Sequence, residues 1–268
     1  MSSTSGTSWT AARSTGGLPS GYGVAYGKDA SGIGLWVAVG DSTKIATSPD
    51  GNTWTAAGLV NGIGNQGLGV AYGKDGVGGN LWVAVGYGSS SNNVIAKSTD
   101  GNTWTAAALK GGITSTAYSV AYGKDGLGAG LWVAVGDGGL IAKSSDGNNW
   151  TAAASKGGIT GYGRGVAYGK DGTGAGLWVA VGGGTFIAKS SDGNNWTAAA
   201  SKGGITNGYN VAYGKDSAGT GLWVAVGVGS QIATSTDGNN WTSVPIASRG
   251  GIVFSGGAGG VAFKNEDV

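Results

Sequence analysis

The sequence has no cysteine and no histidine, and its only glutamate is Glu266. Without cysteine there is neither a disulfide nor a thiolate that could bind a metal or act as a nucleophile. Without histidine the commonest general base is missing as well. Only Asp, Lys or Tyr could then act as a general acid or base. We therefore predict a protein that is not an enzyme, with no catalytic residue, cofactor or metal.

Charge is also scarce, since only 11% of the residues are charged and the net charge of +2 comes without a basic run. Nucleic-acid binding through phosphate neutralisation is therefore not expected. No stretch approaches the ~18 apolar residues that span a bilayer, so no membrane insertion is expected. The first residues lack the apolar core of a secretory signal. We expect a soluble chain of undetermined compartment, with an extracellular or virion-associated location left open.

Glycine and aromatic residues are abundant instead. The 268 residues include 60 glycines, 11 tryptophans and 10 tyrosines, and 40% are apolar. The glycines lack the every-third-residue spacing of collagen. This composition favours a folded, turn-rich β protein over a disordered one.

The chain is built from an internal repeat, and a repeat decides the fold. Its first element, VAYGKD, begins at Val24, Val70, Val120, Val166 and Val211. Its second, LWVAVG, begins at Leu35, Leu81, Leu131, Leu177 and Leu222. An Asp-Gly turn followed by Trp and Thr closes each unit, and successive tryptophans of this series lie 45, 46 or 50 residues apart.

Each unit predicts four short strands, VAY, LWVAV, IAKS and WTAA, separated by glycine-rich turns. LWVAV is apolar without interruption, which suits a strand that is covered on both faces. Repeated four-stranded sheets of this length, each covered by the next, predict an all-β fold of the β-propeller class in a single domain over residues 1–268. The repeats span about 24–57, 70–107, 120–153, 166–199 and 211–244.

The number of blades is open. Five units are complete, and the remainder is a WTAA strand within 5–13 and a VAF strand within 260–266. We predict a partial sixth blade formed by both termini. The alternative is a five-bladed ring whose terminal strands pack outside or are donated to a second copy, which would make a homo-oligomer.

The Ser-x-Asp-Gly-x-x-Trp motif, after a strand that begins Ile-Ala, resembles the Asp-box (BNR-like) repeats, in a variant with one residue fewer between Asp and Gly. Such repeats occur in sialidases, sortilin-like receptors and propeller factors that assist photosystem II assembly. Unit length and near-identity are also similar to small propeller lectins of the tachylectin type. The resemblance implies a fold rather than one activity. Sialidase chemistry is not carried over, because only Arg13, Arg164 and Arg249 are arginines and no repeat contains a glutamate.

Physical chemistry predicts a structural role for the motif. Asp before a tight turn can accept backbone N–H groups, Gly supplies a positive φ, and the Trp ring packs against the turn. The residues concerned are Asp50, Trp54, Asp100, Trp104, Asp146, Trp150, Asp192, Trp196, Asp237 and Trp241.

Candidate ligand-binding residues lie where the repeats differ. One such position just precedes VAY, and another is the turn after LWVAVG. Tyrosine rings there, near Asn, Ser and Lys, could stack on a sugar ring and bond its hydroxyls. The alternative is that these rings only complete the packing between blades. The candidates are Tyr22, Tyr118, Tyr162, Arg164, Tyr209, Asp41, Tyr87 and Asp137.

These observations predict a non-catalytic, multivalent binding protein, with lectin-like recognition of carbohydrate at repeated inter-blade sites. Several weak sites acting together raise avidity about 10²–10⁴-fold. The partner would be a glycan or another protein surface. The alternative is a structural or interaction module, such as a virion surface or attachment protein or an assembly scaffold.

Overall fold

The computed structural model describes residues 10–42, 44–88, 94–184, 186–248 and 260–261. In these ranges the regular structure consists of β-strands and two single 3₁₀ turns, Val228–Ser230 and Ile246–Ser248. Neither turn approaches the length of a membrane-crossing helix. The predicted all-β fold is confirmed.

The strands form five sheets, one for each repeat. Sheet 1 contains β1 Gly21–Lys28, β2 Gly34–Gly40, β3 Ile45–Ser48 and β4 Thr55–Ala56. Sheet 2 contains β5 Leu59–Val60, β6 Gln66–Lys74, β7 Asn80–Tyr87, β8 Ile95–Ser98 and β9 Thr103–Ala106. Sheet 3 contains β10 Leu109–Lys110, β11 Ala117–Lys124, β12 Gly130–Gly136, β13 Ile141–Ser144 and β14 Asn149–Ala152.

Sheet 4 contains β15 Gly163–Lys170, β16 Gly176–Gly182, β17 Ile187–Ser190 and β18 Thr197–Ala198. Sheet 5 contains β19 Gly208–Lys215, β20 Gly221–Gly227, β21 Gln231–Ser235 and β22 Thr242–Ser243. In sheets 1, 4 and 5 the strands pair in chain order and antiparallel. Four antiparallel strands per repeat are as predicted.

Two details differ from the sequence-based prediction. Sheets 2 and 3 each gain a two-residue strand from the preceding linker, since β5 and β10 pair parallel with β9 and β14. The strand predicted as VAY also begins three residues earlier, at Gly21 in the first repeat. The glycine-rich linkers show no alternating pattern, so neither extension had a signal in the sequence.

The strand that contains VAY has a β-bulge near its start in four of the repeats. The register of pairing shifts between Gly21 and Gly23, and it shifts at the corresponding place in β6, β15 and β19. A bulge leaves one residue out of the ladder and turns its side chain in a new direction. The residues at this place are Tyr22, Leu68, Arg164 and Tyr209.

The chain divides into two compact units. Unit 1 comprises residues 1–120 and 144–150, and unit 2 comprises residues 121–143 and 151–268. The prediction of a single domain over 1–268 stays a prediction.

Each unit has a core in which the apolar strand of one repeat packs against the tryptophans of the next. In unit 1, Val37 and Val39 pack with Trp82 and Trp104. In unit 2, Val133 packs with Trp178 and Trp196, and Val179 packs with Trp223 and Trp241. Residues 81–85 of β7 are all buried, so LWVAV is covered on both faces as its apolar run predicts.

Close approach between neighbouring repeats requires glycine in the YGKD segment. A Cβ at Gly27 would overlap the Tyr72 ring, and a Cβ at Gly169 would overlap the Tyr213 ring. These rings pack on Trp82 and Trp223 with centroids 4.8 Å apart. Each of these tryptophans also donates its indole N–H to the Lys carbonyl that follows the glycine, as Trp82 does to Lys28 at 3.0 Å.

Sheet 1 differs from the others in having an exposed face. Val24 is 58% exposed, whereas Val166 and Val211, its counterparts in unit 2, are 5% and 3% exposed. Trp54 is likewise partly exposed, whereas Trp104 is buried. A cleft of about 420 Å³ lies on this face, lined by Tyr22, Val24 and Trp54 among others.

The predicted terminal strands fall mostly outside the described residues. Only 10–13 of the segment 5–13, and only 260–261 of the segment 260–266, are described. The choice between five and six blades, and an oligomer joined through these strands, therefore stay predictions.

Candidate functional site

The Asp-Gly-Trp turn is held by a repeated set of hydrogen bonds. In sheet 1, Asp50 Oδ1 accepts the backbone N–H of Asn52 at 2.8 Å and of Thr53 at 2.7 Å, and the Ser48 hydroxyl at 2.9 Å. Trp54 donates its indole N–H to the Gly51 carbonyl at 3.1 Å. The same set recurs around Asp100, Asp146, Asp192 and Asp237.

The asparagine after each of these glycines ties the turn to the preceding linker. Asn102 Oδ1 accepts the N–H of Gly58 at 2.8 Å, Asn194 Oδ1 that of Ala154 at 3.2 Å, and Asn239 Oδ1 that of Ala200 at 3.1 Å. This role of the asparagine was not predicted, although the Asp-Gly-Asn sequence recurs in every repeat.

These hydrogen bonds stabilise the carboxylate form of the aspartates. The N–H groups of Thr53 and Asn52 and the Ser48 hydroxyl lower the pKa of Asp50 to about 2. Partial burial alone would raise the pKa of Asp146, but hydrogen bonds from Asn149 and Asn148 outweigh it and bring that pKa to about 2. The pKa of Asp237 falls to about 2 by the same balance.

We expect acid to destabilise the fold through these turns. Their folded-state pKa of about 2 lies below the unfolded value of about 3.9. The stabilisation is thus fully present above about pH 4 and is lost as pH falls towards about 2. The urea midpoint should be flat between about pH 5 and 8, because the chain has no histidine. Midpoints from pH 7 to 2 test this, and Asp146→Asn should weaken the acid dependence. A midpoint that rises on acidification would contradict the prediction.

The repeats differ most at three register positions that lie together at one edge of each sheet. Because β1 begins where β2 ends, with Gly21 opposite Gly40, residues just before β1 meet residues just after β2. We call the residues at these three positions in all five repeats the variable edge. They are Ser20, Gln66, Thr116, Tyr162 and Asn207; Tyr22, Leu68, Tyr118, Arg164 and Tyr209; and Asp41, Tyr87, Asp137, Gly183 and Val228.

In unit 1 the variable edge brings Tyr22, Asp41 and Gln66 together. Asp41 Oδ1 accepts the Tyr22 hydroxyl at 3.1 Å and the Gln66 side-chain amide at 2.8 Å. The bond to Asp41 is the main cause that raises the pKa of Tyr22, whose side chain is half exposed. A polar cleft of about 640 Å³ adjoins this group, lined by Asp41, Gln66 and Tyr87 among others.

In unit 2 the variable edge places a cation between two aromatic rings. The Arg164 guanidinium carbon lies 4.6 Å from the ring centre of Tyr209 and 5.5 Å from that of Tyr162. Arg164 Nε is buried and has no hydrogen-bond partner among the described residues. Tyr162 is 46% exposed, and its backbone forms an isolated bridge with Asp137.

The other predicted candidates have the following positions. Tyr87 ends β7, is 36% exposed and bridges Thr116 through its backbone. Tyr118 is partly buried in β11. The structure therefore groups Tyr22 and Tyr87 with Asp41 in unit 1, and Tyr162, Arg164 and Tyr209 with Asp137 in unit 2.

Sequence analysis missed Gln66 and Asn207. Gln66 bonds Asp41, and Asn207 Oδ1 is buried with no hydrogen-bond partner among the described residues. Both occupy the position before the strand-opening glycine, which carries a different residue in all five repeats. The variation of that position was a signal that these residues belong with the other candidates, but it does not indicate which residues they contact.

The described residues contain no cluster of three or more acidic side chains that could hold a metal ion. The carboxylates of the Asp-Gly-Trp turns bond to their own backbone, and Asp41 is bonded by a phenol and an amide. The variable edge of unit 1 supplies exposed tyrosine rings and a carboxylate, and that of unit 2 supplies an exposed tyrosine ring and one guanidinium.

No family model and no curated protein matches this chain. Solved structures with a similar fold include YCF48 from Cyanidioschyzon merolae, with 16% identity and a TM-score of 0.56 over 87% of this chain and 75% of that one. The GH74 enzyme of Niastella koreensis has 21% identity and a TM-score of 0.55, over 84% of this chain and 31% of the enzyme. YCF48 bound to D1 peptide has 19% identity and a TM-score of 0.53, over 87% and 73% of the two chains.

These similarities show the fold alone. Together with the repeated four-stranded sheets, they confirm the predicted β-propeller class. No family model supports the resemblance to Asp-box repeats, which rests on the motif, or that to tachylectin-type lectins, which rests on the length and near-identity of the repeats. One similar structure is an enzyme, so the expected lack of enzymatic activity stays a prediction.

Proposed function

We propose that this protein is a non-catalytic binding module that recognises carbohydrate at its variable edge. The observation that carries the proposal is the group of Tyr22, Asp41 and Gln66 beside an open polar cleft. The Tyr22 hydroxyl and the Gln66 amide both donate to Asp41 Oδ1. A carboxylate has further acceptor positions, which can bind ligand hydroxyls. A carboxylate acceptor beside exposed aromatic rings is the combination that holds a sugar in place.

The two clefts of unit 1 fit the two kinds of surface on a pyranose. The face of sheet 1 beside Tyr22 and Trp54 is mainly apolar and suits the C–H face of the ring. The cleft beside Asp41 and Gln66 is polar and suits the hydroxyls. Pro19 lines both clefts, so one ligand can reach both surfaces.

The same group argues for binding without hydrolysis. Glycoside hydrolysis ordinarily needs two carboxyl groups on opposite sides of the scissile bond. The side chains that bond Asp41 are Tyr22 and Gln66, neither of which is a second carboxyl group. We therefore assign Asp41 a binding role.

We expect Asp41→Asn to weaken sugar binding about 10–100-fold, since a hydrogen bond to a charged acceptor contributes about 1.5–3 kcal/mol. Glycan-array binding with competition by free monosaccharide would identify the sugar, and calorimetry would give the affinities. Asp29→Asn is the matched control, because Asp29 also bears one carboxylate in the first repeat but bonds its own loop at Ser31 and Ile33. Equal losses in the two variants would contradict the proposal, as would an array without binding.

A second candidate is a peptide ligand at the same edge. It is favoured by the similar structure of YCF48 bound to D1 peptide. A peptide array, read with the same Asp41→Asn and Asp29→Asn variants, distinguishes it from the sugar. A purely structural module, such as an assembly scaffold or virion surface protein, would give two negative arrays and a solution mass above that of the 25.9 kDa chain.

A further inference from the structure

We infer that Arg164 forms a second binding site, in unit 2, that takes a sugar bearing a carboxylate, such as a hexuronic acid. This inference deepens the proposed carbohydrate binding and rests on it. It concerns a different group of residues from the site at Asp41, and it predicts a sugar that carries a negative charge.

The first step is the position of Arg164. It lies at the β-bulge of β15, between Gly163 and Gly165, where the register of pairing with β16 shifts. A Cβ at Gly165 would lie 2.8 Å from the Asn210 Cα, so glycine there allows close approach to β19, which carries Tyr209. The bulge and this glycine together bring Arg164 beside the Tyr209 ring.

The second step is the arrangement of the guanidinium. Tyr209 and Tyr162 both lie within cation–π distance, at 4.6 and 5.5 Å. Stacking on aromatic rings orients the guanidinium plane and leaves the N–H groups at its edge for hydrogen bonding. The side chain is thus pre-organised for a planar acceptor.

The third step concerns the Arg164 Nε–H group, which is buried and has no hydrogen-bond partner among the described residues. A buried donor of a charged group that stays unbonded is unfavourable, so a ligand that supplies the acceptor is strongly favoured. A carboxylate matches the guanidinium fork with two parallel hydrogen bonds.

A single cation favours a monoanion. The group of Arg164, Tyr209 and Tyr162 contains one cation, the Arg164 guanidinium. A phosphate monoester carries close to two charges at neutral pH and would lack a second cation. We therefore assign a carboxylate in preference to a phosphate.

An exposed aromatic ring beside Arg164 can contact the part of the sugar that bears no charge. Tyr162 is 46% exposed, and its ring offers an apolar surface to a pyranose.

The experiment compares methyl β-D-glucuronide with methyl β-D-glucoside on the full chain by calorimetry. We expect the wild-type protein to prefer the glucuronide at least about 10-fold, the effect of one charge-assisted contact. Arg164→Gln should remove the preference, and Arg164→Lys should remove most of it, because lysine keeps the charge but not the planar fork. Arg13→Gln is the matched control, with the same loss of charge in the other unit. Unchanged thermal unfolding of each variant would establish that it is folded.

Three results would overturn the inference. They are the absence of a preference, a preference that survives Arg164→Gln, and equally tight Arg164-dependent binding of N-acetylglycine, which carries a carboxylate without a sugar. Binding of the glucoside that depends on Asp41 but not on Arg164 would refute this inference and leave the proposed function intact. Binding of N-acetylglycine alone, with no response to either sugar, would refute this inference, whereas a glycan array without binding would refute the proposed function.

Discussion

Replacing Trp104 with alanine is expected to destabilise the protein by about 3–5 kcal/mol, as for other fully buried large aromatic residues. Trp104 is fully buried and belongs to the core cluster of unit 1 with Val37 and Val39. The change also removes the hydrogen bond that its indole N–H donates to the Gly101 carbonyl at 2.9 Å. Urea unfolding followed by tryptophan fluorescence and circular dichroism would measure the loss.

Trp54→Ala is the matched control for this prediction. Trp54 occupies the same place in the first repeat and donates the same hydrogen bond, to Gly51 at 3.1 Å. However, it lies on the exposed face of sheet 1 and is only partly buried. Because buried area sets most of the loss, Trp54→Ala should cost about half as much or less. Equal losses would mean that the turn, rather than packing between repeats, accounts for the stabilisation.

Replacing Gly169 with alanine is expected to destabilise unit 2 by about 1–3 kcal/mol or more, the range for overpacking a well-packed contact. The added Cβ would overlap the Tyr213 ring, which itself packs on Trp223 at 4.8 Å. The ring is held between two neighbours and cannot easily move away. The urea midpoint and its slope would show whether the loss is one of stability.

Two further variants isolate the steric cause. Gly21→Ala adds the same methyl group to a first strand where nothing lies within 4 Å of the new Cβ, and it should change stability by less than about 0.5 kcal/mol. The double variant Gly169→Ala with Tyr213→Ala should be less destabilised than the sum of its parts, because the overlap is absent. Strict additivity would show that the two residues do not interact as described.

Most of the fold followed from local pattern. The repeat, the four strands per unit and the burial of LWVAV on both faces depend on residue order within about 46 positions, and the structure agrees with each. The short strands β5 and β10 did not follow, because two residues in a linker have no periodicity to detect.

The candidate site was predictable only in part. Comparing repeats identified Tyr22, Asp41 and Arg164 as positions that vary, but not the partners that they contact. Gln66 was missed although its column varies in every repeat, since nothing in the sequence indicates that its amide reaches Asp41, 25 residues earlier.

The sequence by itself determined the repeated strand order, the chemistry of the Asp-Gly-Trp turns and the scarcity of groups for catalysis, because each depends on residue type and local spacing. Only the tertiary structure decided which variable residues meet. Arg164 lies against Tyr209, 45 residues later, because a bulge turns its side chain and glycine lets two first strands approach. Such contacts are set by the spacing between sheets, which no single repeat encodes.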